Sequence, residues 1–149
     1  MSKRDLLNYP RPVLVAQYIE YAVEFINAYK KLESGHPPSW PRYFLFCHSI
    51  ELILKAFLWH TLVDETKLSG WCNSHDIVKL FATAYGEGLR VDDSVRSELE
   101  LLSTAHKEFW PRYPMTKSQQ VFVIENFDSY LEQLLTQVNS AIHPSITIE

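Results

Sequence analysis

Three ionisable side chains interrupt an otherwise apolar stretch: His48, Glu51 and Lys55 within Phe44–Leu58. They stand at i, i+3 and i+7, so at about 100° per residue they project from one side of a helix. Glu51 and Lys55 form an i,i+4 pair in the favourable order. The chemistry open to the set is that of an ammonium able to meet phosphate and an imidazole able to hold a proton or a hydrogen bond. Glu51 would orient Lys55. The plainer reading is a solvent-exposed stripe on a helix buried elsewhere. His48 and Glu51 could also chelate, but no third ligand stands at metal-site spacing, and neither metal nor cofactor is expected.

Other candidates lie further along. His75-Asp76 opens a helical segment, where Asp favours the macrodipole and can cap free N–H groups. Arg112 and Tyr113 sit in a Pro-flanked loop, a guanidinium beside a ring, suited to phosphate or base. Arg112 could equally cap helix carbonyls. Arg42 precedes His48 by six positions, about 240° around a helix, so the two do not share a face. Arg42 reads as a first-turn surface or inter-helix residue.

The elements that must position these residues follow from periodicity. Val15, Tyr18, Ile19, Ala22, Phe25, Ile26, Tyr29 and Leu32 predict a first helix over about 12–33, ended by Ser34-Gly35. Ser39 caps a second helix running to about Asp64, apolar nearly all round and therefore central. Ser74 or His75 starts a third, with Ile77, Leu80, Phe81, Ala84 and Tyr85 on one face and Gly86 or Gly88 as its stop. Asp92, Asp93 or Ser94 caps a fourth along Val95, Leu99, Leu102 and His106. The fifth is secure from Phe127 and is placed from about Ser118. The sequence thus predicts an all-α, five-helix, mainly antiparallel up-and-down bundle, one domain over 1–149 with a short arm at 1–11 and a frayed tail at 144–149.

Composition bounds the rest. The 149 residues are 46% hydrophobic and 13% aromatic, with 4 glycines, which favours helices around a sizeable core. A net charge of −4 argues against a broad grip on nucleic acid but leaves room for a small basic pocket. Cys47, in an apolar run, reads as a buried thiol, and Cys47 and Cys72 imply no disulfide framework. The first residues lack the apolar core of a signal peptide, and no apolar run reaches the roughly 18 residues of a membrane span. The expectation is a soluble chain in a reducing cytoplasm.

Three segments, in order, resemble HEPN domains, a helical family associated with nucleotides and RNA. Residues 48–58, HSIELILKAFL, look like its second long helix with an E-x-x-x-K-A-x-L pattern. His75-Asp76-Ile77 is similar to its "HDL" step, and Arg112-Tyr113-Pro114 to its "RYP" turn. The likeness spans most of residues 12–140. It implies a helical bundle, frequent homodimers and two branches. One consists of metal-independent ribonucleases, often toxins or defence proteins, with an R-x4-6-H signature on a late helix. The other accompanies minimal nucleotidyltransferases or binds nucleotides without cleaving them. Residues 118–142 contain neither Arg nor His, and the one spacing match, Arg42 with His48, lies on the early helix. The non-nuclease branch therefore fits better. The expected role is to bind a nucleotide or nucleic-acid end, as a homodimer or beside a nucleotidyltransferase in a toxin–antitoxin or defence module. His48, Glu51, Lys55, His75, Asp76, Arg112 and Tyr113 would be its site. The alternatives are a ribonuclease using Arg42 and His48, and an interaction module with no ligand.

Overall fold

A proline pair sets the start of the first helix. Pro10 precedes α1, Arg11–Lys31, and Pro12 stands in its first turn, where a missing N–H leaves no bond unmade. The Pro10 carbonyl accepts from Val13 and Leu14 N–H at 3.0 and 3.1 Å. Lys30 and Lys31 in the last turn complement the dipole, and Leu32 leaves the helix in an extended conformation. The computed structural model of the chain describes residues 8–32, 40–61, 76–108 and 127–143. Within these it is an all-α bundle of five helices, with no strand among the described residues.

The second helix, α2 (Trp40–Thr61), is the centre of the bundle, packed by α1, by α3 (Ile77–Gly86) and by α5 (Phe127–Ile142). From Phe46 to Trp59 every side chain on α2 is buried except that of His48. Each large apolar side chain so enclosed contributes roughly 1.5–3 kcal/mol. This is why a helix apolar on nearly every side belongs inside. Tyr29 packs on Phe46 while Phe25 meets His48, so α1 and α2 run antiparallel as a hairpin. At the surface Lys30 pairs with Glu132 and ties α1 to α5.

The third helix is capped at Asp76 and begins at Ile77, two or three residues beyond the expected start at Ser74 or His75. Asp76 is its N-cap, and its Oδ1 accepts from the N–H groups of Val78 at 3.0 Å and Lys79 at 3.3 Å. The short carboxylate reaches two orphan donors at once, which fixes the boundary. Gly88, at φ 106°, closes the other end. Its N–H donates to the Tyr85 carbonyl and that of Leu89 to the Ala84 carbonyl, and Leu89 is buried beneath the turn. This is the glycine-closed C-terminus that a left-handed residue permits. Just beyond, Arg90 Nη1 donates to the carbonyls of Tyr85 and Leu89, both at 2.9 Å, while its guanidinium lies 4.0 Å from the centre of the Tyr85 ring.

The fourth helix, α4 (Asp93–Glu108), starts after Asp92, whose backbone N–H donates to Gln137 Oε1 at 3.1 Å. Val95 and Leu99 of α4 share an apolar crevice with Leu131 and Leu134 of α5. Because Asp92 meets residue 137 and Leu99 lies nearer residues 130–134, these two helices are also antiparallel. The placement of the fifth helix's start at Ser118 lies outside the described residues, as do Ser34-Gly35, Ser39, the stretch to Asp64 and both chain ends. No described helix is long and apolar enough to cross a membrane.

Candidate functional site

The polar stripe of α2 is not solvent-exposed. Glu51 retains 2% and Lys55 5% of their accessible surface, on the side of α2 where His48 meets Phe25 of α1. Lys55 Nζ lies 3.5 Å from Glu51 Oε2, and His48 Nδ1 lies 3.4 Å from the same oxygen. One carboxylate oxygen thus collects both basic groups. Burying either charge alone is strongly unfavourable, so Glu51 and Lys55 are mutually dependent. Nearby Ser49 is spent on the helix itself, its hydroxyl donating to the Leu45 carbonyl at 2.7 Å.

His48 is where this cluster reaches the surface. Its side chain is 24% exposed. The imidazole meets the Phe25 ring edge-on, with centroids 4.6 Å apart and planes at 83°, and lies nearly parallel to Phe44, 5.7 Å away at 14°. Nδ1 faces the Glu51 carboxylate, and Nε2 lies on the far side of the ring. A protonated ring donates from both nitrogens. One turn before Phe25 on α1, at i−4 and so on nearly the same face, stands Tyr21, with 52% of its surface exposed. Phe25, His48 and Phe44 therefore form an aromatic cluster at the α1–α2 seam, with Tyr21 one turn from Phe25 along α1.

From the sequence His48, Glu51 and Lys55 stand out as site candidates, whereas Phe25 and Phe44 read only as apolar helix positions and Tyr21 carries no signal of its own. The available signal was the i,i+4 spacing of aromatic rings, Tyr21 with Phe25 and Phe44 with His48. What the sequence alone lacked was the register that brings the two pairs side by side.

Arg42 bridges the helices. Its Nε donates to the Leu32 carbonyl at 3.2 Å, and its guanidinium lies 4.1 Å from the centre of the Tyr29 ring. Arg42 and His48 point from different sides of α2, yet both reach α1, because a long guanidinium side chain in the first turn extends over the end of the neighbouring helix. Asp76 is occupied as the α3 cap. His75, Arg112 and Tyr113 lie outside the described residues. Among those described, no three His, Cys, Asp or Glu side chains gather into a metal-binding group. Cys47 is fully buried. The apolar crevice between α2, α4 and α5 holds about 10 Å³, roughly one water, and is too small for an organic ligand.

Compared with protein-family models, with characterised proteins and with solved structures, the chain matches none.

Proposed function

We propose that this protein is a HEPN-like helical protein that binds a nucleotide or a nucleic-acid end at the α1–α2 seam. The observation that carries the reading is the opening at His48, an imidazole backed by a buried carboxylate and flanked by aromatic rings. Nε2 would meet a phosphate oxygen when the ring is protonated, or a donor on the ligand when it is neutral. Phe44, Phe25 and Tyr21 offer faces and edges for a base. Lys55 was the expected phosphate ligand. Its burial and its pairing with Glu51 favour a different part, holding the carboxylate that in turn positions His48.

His75, Asp76, Arg112 and Tyr113 complete the residue set that the HEPN likeness supplies, and that likeness adds a homodimer or a nucleotidyltransferase partner in a toxin–antitoxin or defence module. The ribonuclease alternative, with Arg42 and His48, would require Arg42 to leave Tyr29 and Leu32. Calorimetry with nucleotides and short RNAs tests the proposal. Binding that His48→Ala weakens at least tenfold supports it, and no heat with any ligand sinks it.

A second reading has its own observation. A buried ion pair at a helix–helix seam can serve to fix register, with no ligand at all. In that case the seam is an interaction module, and replacing Glu51 and Lys55 together by apolar residues shifts helix pairing without touching any binding.

A further inference from the structure

We infer that His48 is a phosphoryl acceptor, whose Nε2 takes a phosphoryl group from an acyl phosphate or a phosphoramidate. This goes beyond ligand binding and stands whether or not a nucleotide occupies the seam.

Three features of the imidazole carry the inference. The first is direction. Nδ1 lies 3.4 Å from Oε2 of the buried Glu51, so Nε2 is left on the other side of the ring. Nε2 makes no hydrogen bond to the protein and is not shut away from solvent. A donor can therefore meet it at the surface, without a cavity. The second is fixation. Phe25 meets the ring edge-on at 4.6 Å, Phe44 lies nearly parallel at 5.7 Å, and the carboxylate holds one nitrogen. These contacts limit rotation of the ring, so Nε2 keeps one heading. The third is charge. A proton held on Nδ1 by the carboxylate leaves the Nε2 lone pair as the nucleophile. At 3.4 Å the carboxylate favours the positive charge that the ring gains on attack. Farther out, the carboxylate and the Lys55 ammonium, 3.5 Å apart, act as a neutral pair, so an incoming anion is not repelled by Glu51 alone.

The step balances. The Nε2 lone pair forms the N–P bond as the P–O bond of an acyl phosphate, or the P–N bond of phosphoramidate, breaks. The departing carboxylate or ammonia takes that electron pair, and the Nδ1 proton stays on its bond to Glu51. No oxidant or reductant enters.

Incubation of the full chain with potassium phosphoramidate and, separately, with acetyl phosphate tests this, read by tandem mass spectrometry and phosphorus NMR. His48 should take an acid-labile phosphoryl group on Nε2 at least as fast as His60 and His143, although both of those are more exposed. Glu51→Leu combined with Lys55→Met, shown folded by thermal melting, should slow that reaction about tenfold, because the ring loses the partner that fixes its tautomer and raises its basicity. No labelling at His48, slower labelling there than at His60 and His143, a phosphoryl group on Nδ1, or an unslowed double variant overturns the inference. If the double variant does not fold, the order of the three histidines and the isomer formed in the native chain decide alone. Calorimetry with nucleotides is a separate readout: failed labelling leaves the binding reading in place, and silent calorimetry leaves this inference in place.

Discussion

At the α3–α4 corner two guanidiniums lie over one ring in water: Arg90 at 4.0 Å and Arg96 at 5.0 Å from the centre of the half-exposed Tyr85. At the α1–α2 seam Lys55 and Glu51 form an ion pair beside His48, shut away from water. The residue types are nearly the same, and solvent decides what each arrangement does. At the corner, water screens the charges, every side chain has alternatives, and losing one partner leaves the others hydrated. At the seam the charges are buried, so an ammonium that loses its carboxylate is left without hydration. The corner ends a helix, whereas the seam holds a side chain in place.

The largest test of that contrast is Glu51→Ala. It strands Lys55, and we expect a loss of roughly 3–5 kcal/mol in urea unfolding, or a melting temperature lower by on the order of 10 °C. Glu51→Leu combined with Lys55→Met should recover most of this, because paired removal leaves no buried charge. A loss below about 1 kcal/mol for Glu51→Ala would mean that water reaches the pair, and the seam would then resemble the corner. The double variant also separates scaffold from function. It should keep the helices while weakening nucleotide binding, since His48 loses the carboxylate that holds Nδ1.

The corner's own backbone is the next largest effect. Gly88 adopts φ 106°, yet a methyl group added there would meet open space. Gly88→Ala should therefore cost about 1–2 kcal/mol, entirely from backbone strain. A neutral result would show that the turn after α3 relaxes at little cost. Asp76→Ala, at the opposite end of the same helix, should cost about 1 kcal/mol by freeing the N–H groups of Val78 and Lys79. Asp76→Asn should retain most of the stability, because a side-chain carbonyl still accepts.

These regions were unequally legible before any coordinates. Helical periodicity is a local property, so Val95 and Leu99, or Leu131, Leu134 and Val138, announce their faces from sequence alone, and the buried residues of the structure match them. A stop at Gly86 or Gly88 was readable for the same reason, since a glycine's conformational freedom is intrinsic, and the structure assigns the left-handed turn to Gly88. The stripe on α2 was readable as three residues on one side, but its environment was not. Polar residues on an apolar helix usually point at water, whereas Glu51 and Lys55 are buried and His48 meets Phe25 of α1. That crossing depends on the α1–α2 register, set by contacts such as Arg42 over Tyr29, which no local pattern encodes. The third helix's start went to Ser74 or His75 because several cap-forming residues stand in a row, and geometry selects Asp76.

The smallest effect belongs to Arg96. Its Nε lies 3.3 Å from Glu100 Oε1 in an i,i+4 pair, both side chains well exposed, and its guanidinium lies farther from Tyr85 than that of Arg90. An exposed pair of this kind contributes about 0.3–0.5 kcal/mol, and an exposed cation over a ring about 0.5–1 kcal/mol at its best distance. Arg96→Ala should then lower stability by about 0.5 kcal/mol, and 0.5 M salt should shrink the part due to Glu100. Arg90→Ala should exceed it, because Arg90 also satisfies the carbonyls of Tyr85 and Leu89. If the order is reversed, the corner is held from α4 and not from the end of α3, and Tyr85 is anchored by the helix that follows it.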